Sequence, residues 1–281
     1  MIKKAVILAS GLGTRFLPIT KSIPKAMLPI IDQPVIDMVV DEVIASGITD
    51  ILIITNDFND AIEQYYDTHF TLEKKLLSDK KEADIFKMEH ILGKAKISFA
   101  YQKEMKGTGD ATLFAKEFVG NEPFVLLFAD NLFVPYEQGI KILVDDFEQH
   151  RKTIIGIIKV KKEHAHRYGC IKYQGDQVID LIEKPSPGKE PSLDVNAGRF
   201  VLLPETFKYL ETIKEQDGEY YLHDAILTMI KNGYVVHTSN ITGKYYDMGD
   251  KASFVKAIID FSLKRDDLKE EVTKHIKELE L

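Results

Sequence analysis

A chain of 281 residues with 44% hydrophobic side chains can bury one large core or two modest ones. Its 37 basic and 44 acidic residues give a net charge of −7, which argues against a nucleic-acid binder, because polyanionic partners require a basic face. The single cysteine, Cys170, excludes an intrachain disulfide, no apolar run approaches the length of a membrane span, and the five-residue AVILA stretch after Lys3-Lys4 is too short for a secretion signal. Together these features predict a cytoplasmic protein with neither a nucleic-acid nor a membrane partner.

In chain order, KAVILA (4–9), DILIIT (50–55), KISFAY (96–101) and PFVLLFA (123–129) predict buried strands that are apolar on both faces. Between them, VIDMVVDEVIASG (35–47) and GDATLFAKEFVG (109–120) carry helical spacing and stop at Gly47 and Gly120. Residues 67–95 are charged and helix-prone, which predicts a surface insertion. This alternation predicts an α/β fold with a parallel sheet and crossover helices. After Arg151 the rhythm changes. TIIGIIKV (153–160), GCIKY (169–173), QVIDLIE (177–183) and AGRFVLL (197–203) predict shorter strands, separated by the turn signals QGD and SPGKEP. They predict antiparallel or mixed pairing grafted onto the first half. Helical patterns return at 222–231 and 251–264, and DDLKEEVTKHIKELEL (266–281) closes the chain as a charged amphipathic helix. No repeat or linker intervenes. The expectation is one continuous unit over 1–281, with lobes at about 1–150 and 151–250 and C-terminal helices at 251–281.

The stretch ILASGLGTRFLPITKSIPKAMLP (7–29) departs from this regularity. Residues 1–31 hold five basic side chains (Lys3, Lys4, Arg15, Lys21 and Lys25) and no acid, so the remainder carries 32 basic against 44 acidic, a net −12. A positive patch on an acidic body suits a small anionic ligand. A dinucleotide fingerprint would need a third glycine where Phe16 stands, and an immediate helix, which Pro18 and Pro24 forbid. The Walker pattern is absent. A flexible surface turn leaves the cationic cluster unexplained. The remaining reading is a long loop wrapped around phosphates. Gly11 and Gly13 let backbone N–H groups converge on an anion, Arg15 adds a planar fork and Lys25 a point charge. A triphosphate is the expected guest.

The pattern G-x-G-T-R-x-x-P-x-T…P-K resembles the signature of the sugar-1-phosphate nucleotidyltransferases. The likeness continues through QKEMKGTGDA, NEPFVLLFADN, HRYG, EKP, AGRFVL and YYDMGD. It implies a Rossmann-like, mixed and mostly parallel central sheet flanked by helices, with a smaller sugar-binding lobe. The longer match GLGTRFLPITKSIPKAMLPI is most similar to the uridylyl-transferring members, which implies UTP and glucose 1-phosphate as substrates, Mg²⁺ as cofactor, and a homodimer or homotetramer. The 67–95 insertion and the C-terminal helix are candidate surfaces for that assembly.

The implied chemistry is in-line attack of a sugar-phosphate oxygen on the α-phosphorus, expelling pyrophosphate. A phosphate monoester with its second pKa near ~6 is mostly ionised at neutral pH, so no general base is expected. By resemblance, Arg15, Lys25 and Asp130 are catalytic, and Asp130 with Asp247 hold the metal. Ala9, Gly11, Gly13, Thr14, Arg15, Lys25, Gln102 and Gly107 bind the nucleotide. Gln102 brings an amide donor and acceptor to the base, a contact that cannot by itself exclude thymine. Gly169, Glu183, Lys184 and Asn196 take the sugar phosphate. Asp250 is expected to cap the helix from Lys251, Cys170 to lie in the core, and His164 and His166 to bind no metal.

Three departures from the family pattern bear on specificity. Ala26 stands where glutamate usually follows the lysine, Asp110 where histidine commonly follows the glycine pair, and SLDVNAG (192–198) where S-N-L-A-x-x-G is expected. Two alternatives stay open: the same chemistry with dTTP or another sugar 1-phosphate, and an inactive relative that binds UDP-sugars as a sensor.

Overall fold

Ala5–Leu8 are four apolar residues in succession, so the strand they form has no solvent-facing side and lies inside the sheet. The computed structural model describes residues 2–279 apart from 57, 59, 89, 90, 92, 136–138 and 176; parts of the predicted insertion, the QGD turn and the last two residues of the C-terminal helix therefore lie outside the described residues. The first half runs β1 (Lys4–Leu8), β2 (Pro29–Ile30), β3 (Gln33–Pro34), α1 (Val35–Ala45), β4 (Asp50–Asn56), α2 (Ala61–Tyr66), α3 (Phe70–Ser78), α4 (Glu82–Met88), β5 (Lys96–Gln102), α5 (Gly107–Leu113), α6 (Lys116–Val119), β6 (Phe124–Phe128), β7 (Asn131–Val134) and α7 (Ile140–His150). The second half continues with β8 (Thr153–Lys159), α8 (Lys162–Ala165), β9 (Cys170–Gln174), β10 (Gln177–Ile182), β11 (Asp194–Leu202), α9 (Thr206–Leu210), α10 (Leu222–Lys231), β12 (Val236–Asn240), β13 (Lys244–Asp247), α11 (Lys251–Ser262) and α12 (Lys269–Glu278).

One mixed sheet joins both halves in the order β10-β9-β11-β6-β1-β4-β5, with β8 paired to β11 and β12 paired to β8. The strands β6, β1, β4 and β5 are mutually parallel, as the strand–helix rhythm predicts. β11 then docks antiparallel on β6, which is the predicted graft of the second half onto the first. Alternate β1 side chains feed two cores. Ala5 and Ile7 face α1 and α7, while Val6 and Leu8 face α5 and α10. A short antiparallel ribbon, β7 with β13, sits beyond the carboxyl end of β6 and sets Asp247 opposite Asn131.

Several expectations are corrected by packing. β5 is an edge strand with half-buried side chains, so its apolar run covers one side instead of two. The 109–120 helix is two pieces, α5 and α6, broken at Phe114 and Ala115. β11 starts at Asp194, earlier than its apolar run suggests. The strands β7, β12 and β13 and helix α9 carry too little periodic signal to have been anticipated, whereas α7 is a further element outside the expectations although Ile140, Leu143, Val144 and Phe147 repeat at helical spacing.

A buried ion pair stitches these layers. Arg199 and Glu42 are 0% and 1% exposed. Nε and Nη2 of Arg199 donate to the two carboxylate oxygens of Glu42 at 2.9 and 2.7 Å. Its remaining N–H groups donate to the carbonyls of Phe128 (3.1 Å), Gly198 (3.1 Å) and Asn131 (2.6 Å). Glu42 also accepts from the backbone N–H of Ile140, at the start of α7. With every donor matched, the pair stands clear of the penalty for a half-satisfied buried charge. Arg199→Met removes one partner and is expected to lower stability by about 3–5 kcal/mol in chemical denaturation. Arg265→Met, at an exposed pair with Asp32 and Asp267, should change the denaturation midpoint far less. Similar losses for the two would contradict the role given to Arg199.

Candidate active site

The loop after β1 cannot continue as a helix, because Pro18 and Pro24 interrupt it and Gly13 turns left-handed at φ 63°. It folds instead as three short 3₁₀ turns, Thr14–Phe16, Ile19–Lys21 and Lys25–Met27. Thr20 closes the first bend by donating its hydroxyl to the Gly13 carbonyl at 2.9 Å. A Cβ on Gly13 would stand 2.9 Å from the Lys25 Cβ, so the bend can sit against the lysine only as glycine. A Cβ on Gly11 would meet nothing within 4 Å, so packing does not require glycine at that position.

The loop roofs a cleft of about 430 Å³ at the carboxyl ends of the parallel strands, the usual ligand position in such sheets. Ala9, Gly11, Gly13, Thr14, Lys25, Gln102, Gly107 and Asp130 all line it. Ala26 lines it too while 5% exposed, so the departure from glutamate leaves a small apolar wall beside the lysine. Asp130 directly follows the end of β6, and Lys25 Nζ donates to its Oδ2 at 2.5 Å.

Arg15 and Asp247 stand at one margin of the cleft, gathered around Gly249. Arg15 Nη1 donates to the Gly249 carbonyl at 3.1 Å, and Phe16 meets Phe254 of α11 edge to face at 5.4 Å. A Cβ on Gly249 would lie 2.9 Å from Asp247 Oδ1, 3.2 Å from Arg15 Nη1 and 3.5 Å from Asp130 Oδ2. The two aspartates, 117 positions apart by their numbers, thus share one small space. Burial pushes the Asp247 carboxyl above its ordinary range, and Asp130 pushes it further, against the opposing Gly249 N–H, Arg15 and Lys25. Two crowded carboxylates under net desolvation favour a positive charge between them, and Lys25 already supplies one at Asp130. Among the described residues no group of three or more His, Cys, Asp or Glu is placed to hold a metal. An ion held here would take two protein carboxylates and fill its other positions with phosphate oxygens and water, the habit of Mg²⁺.

The expected sugar-phosphate residues form an adjoining cluster. Glu183 Oε2 lies 2.8 Å from the point where a Cβ on Gly169 would be, so the glycine leaves room for the carboxylate. Asn196 donates its N–H to the Gly169 carbonyl at 2.8 Å, and its own Oδ1 accepts from Gly198 N–H at 2.8 Å. Lys184, with φ 41°, keeps a 63%-exposed side chain 3.6 Å from Glu183. The link to the aspartate pair runs through Gly198 and Asn131. Gly198 adopts φ 67°, and the Asn131 amide occupies the place of its missing Cβ. Asn131 Oδ1 then accepts from the Tyr245 hydroxyl at 2.8 Å, two residues before Asp247.

Gln102 is placed differently from the expectation in one respect. Its amide nitrogen donates to Asp110 Oδ2 at 2.7 Å and to the Gly107 carbonyl at 3.2 Å, while its oxygen accepts from the Ser10 hydroxyl and keeps one lone pair unused. Ser10, Asn131, Tyr245 and the pair Arg199–Glu42 are the residues that sequence reasoning missed, while Asp110, singled out there only as a departure from the family pattern, turns out to hold the Gln102 amide. Only the last pair had a readable signal, a lone arginine and a lone glutamate each set in an apolar stripe. Asp250 caps α11 by accepting from Ser253 N–H at 2.9 Å, as expected. Cys170 is fully buried, and burial with the nearby Glu190 and Glu183 pushes its thiol up to about 11, so it stays protonated and inert.

A glycine loop wound in 3₁₀ turns above a parallel sheet, facing paired carboxylates, defines an α/β enzyme of phosphate-group transfer. The chain belongs to the Nucleotidyl transferase family, whose model matches residues 4–262. A UTP–glucose-1-phosphate uridylyltransferase of Staphylococcus haemolyticus is 42% identical over 284 residues, covering 99% of this chain and 98% of that one. A UTP-bound UGPase from Acinetobacter baumannii superposes with a TM-score of 0.91 at 31% identity, over 100% of both chains. A UDP-glucose pyrophosphorylase complexed with UDP-glucose gives a TM-score of 0.83 at 33% identity, over 94% of this chain and 100% of that one.

The loop geometry carries its own check. Gly13→Ala should cost about 1–2 kcal/mol in thermal melting, from the left-handed backbone and the contact with Lys25, while Gly11→Ala should stay within about 0.5 kcal/mol. Equal melting of the two variants would contradict the described bend.

Proposed function

We propose that the protein transfers the uridylyl group of UTP to glucose 1-phosphate, giving UDP-glucose and pyrophosphate. The observation that carries this reading is the convergence of Arg15, Lys25, Asp130 and Asp247 at the margin of the glycine-loop cleft. The UTP and UDP-glucose in the matched structures supply the substrate identities.

The residues divide the work as follows. The backbone of Gly11–Thr14 and the Arg15 fork receive the triphosphate, with the base between Gln102 and Gly107 and the chain at Ala9 closing the site. Gly169, Glu183, Lys184 and Asn196 take the sugar phosphate, Glu183 accepting from hydroxyls and Lys184 pairing with the phosphate. The nucleophile is already anionic near neutral pH, so alignment and charge neutralisation suffice. Lys25 stands where charge on the α-phosphate would grow, at the end of the Asp130 strand. Asp130 and Asp247 would hold Mg²⁺, which when bound neutralises the phosphate oxygens. The attacking oxygen bonds to the α-phosphorus as the bond to the bridging oxygen breaks, and pyrophosphate carries away the electron pair.

We also infer a single unit in which lobe 1–150 binds nucleotide and lobe 151–250 binds sugar phosphate, supported by the one sheet that spans both. No helix among the described residues is long and apolar enough to cross a membrane. The cytoplasm suits an enzyme with a lone inert thiol and two small phosphorylated substrates.

Pyrophosphate release across a panel of nucleoside triphosphates and sugar 1-phosphates, with and without chelator, tests the reading. UTP with glucose 1-phosphate should be the best pair, and chelator should abolish turnover. Lys25→Ala should lower kcat by at least about a hundredfold with little change in melting. Binding of UDP-glucose with no pyrophosphate release from any pair would replace the enzyme by a sensor.

A further inference from the structure

We propose that Asp110 is a positioning residue that sets base preference: it locks the Gln102 amide so that only an acceptor faces the base. The selected pyrimidine is then one with an N3–H, and a pyrimidine with an N3 lone pair is rejected. This rests on the nucleotide-site reading above and names which edge of the base that site recognises.

Gln102 ends β5, is 1% exposed and lines the cleft. Its Nε2 faces Asp110 Oδ2 at 2.7 Å and the Gly107 carbonyl at 3.2 Å. A carboxylate and a carbonyl only accept, so the NH₂ end must lie on that side and both of its hydrogens are used. Rotating the amide by half a turn would set its oxygen against the Asp110 oxygen, two acceptors face to face. On the other side Ser10 donates its hydroxyl hydrogen to Gln102 Oε1. Ser10 is itself held, because Asn56 Nδ2 donates to its carbonyl at 3.0 Å. With its hydrogen committed, the Ser10 hydroxyl shows the cleft lone pairs as well. The wall formed by Ser10 and Gln102 therefore accepts and does not donate.

Uracil and thymine present acceptor, donor, acceptor along O2, N3–H and O4. Cytosine presents a lone pair at N3. An acceptor facing that atom attracts the first two and repels the third, and it leaves uracil and thymine undistinguished. Asp110 stands behind Gln102 in the first turn of α5 and outside the cleft wall, so it acts through the amide alone.

The test compares kcat and KM for UTP, dTTP and CTP in the wild type and in Asp110→Ala, Asp110→Asn and Asp110→Lys, with thermal melting of each. Asp110→Ala should lower the UTP-over-CTP preference about tenfold, with KM for UTP rising more than kcat falls. Asp110→Asn, whose carbonyl can still accept, should restore most of it. Asp110→Lys only donates, so it should turn the amide round and shift preference toward CTP. The UTP-to-dTTP ratio should hold in all of them. Equal losses for UTP and CTP, an unchanged ratio in Asp110→Ala, or variants that fail to fold would assign Asp110 a structural role and overturn the proposal. If the wild type released no pyrophosphate with any pair, the reaction reading would fall, and calorimetric binding of UTP against CTP to the same proteins would still decide the part played by Asp110.

Discussion

Arg199 lies where β11, α1 and the end of β6 meet behind the cleft, and its pairing with Glu42 is the constraint on which the rest depends. Through one guanidinium, β11 grips α1 at Glu42 and the carbonyls of Phe128 and Asn131 on either side of Asp130. Through Glu42 the same contact fixes the first turn of α7. A carboxylate at the end of a strand would otherwise ride on a mobile turn. Here carbonyls on both sides of it are tied to a side chain with no solvent exposure, so the position of Asp130 is inherited from the core.

That anchoring suits the proposed reaction, which needs no proton relay. Displacement at phosphorus by an oxygen that is already anionic asks the protein mainly to align two polyanions and offset their charge. The side chains proposed for that task come from distant stretches of chain: a lysine from the loop, one aspartate from the end of β6, another from β13, and an arginine that crosses to Gly249. The ribbon of β7 and β13 is the local device, since pairing Asn131 with Asp247 brings the second carboxylate beside the first. Gly249 then leaves the space between them open.

Much of this was legible in the residues because the local rules agree with the global fold. Runs such as DILIIT and PFVLLFA lie in the sheet interior, and the loop residues Gly13, Pro18 and Pro24 encode the refusal to start a helix. Less visible were features decided by partners far away in sequence. KISFAY looks like an interior strand, yet it is the edge, because nothing in its own residues says which neighbours exist. VHTSN has little strand character and joins the sheet through pairing with β8. The amide of Gln102 has donors and acceptors in equal measure on paper. Only the placement of Asp110 and Ser10 shows which of them is spent.

The most direct measurement is the anomalous signal of Mn²⁺ in crystals grown with a non-hydrolysable UTP analogue. One peak about 2.0–2.3 Å from an oxygen of both Asp130 and Asp247, with analogue phosphates completing its shell, is the predicted result. A metal bound to only one of the two aspartates, or seated away from the glycine loop, would contradict a centre assembled from both halves of the chain.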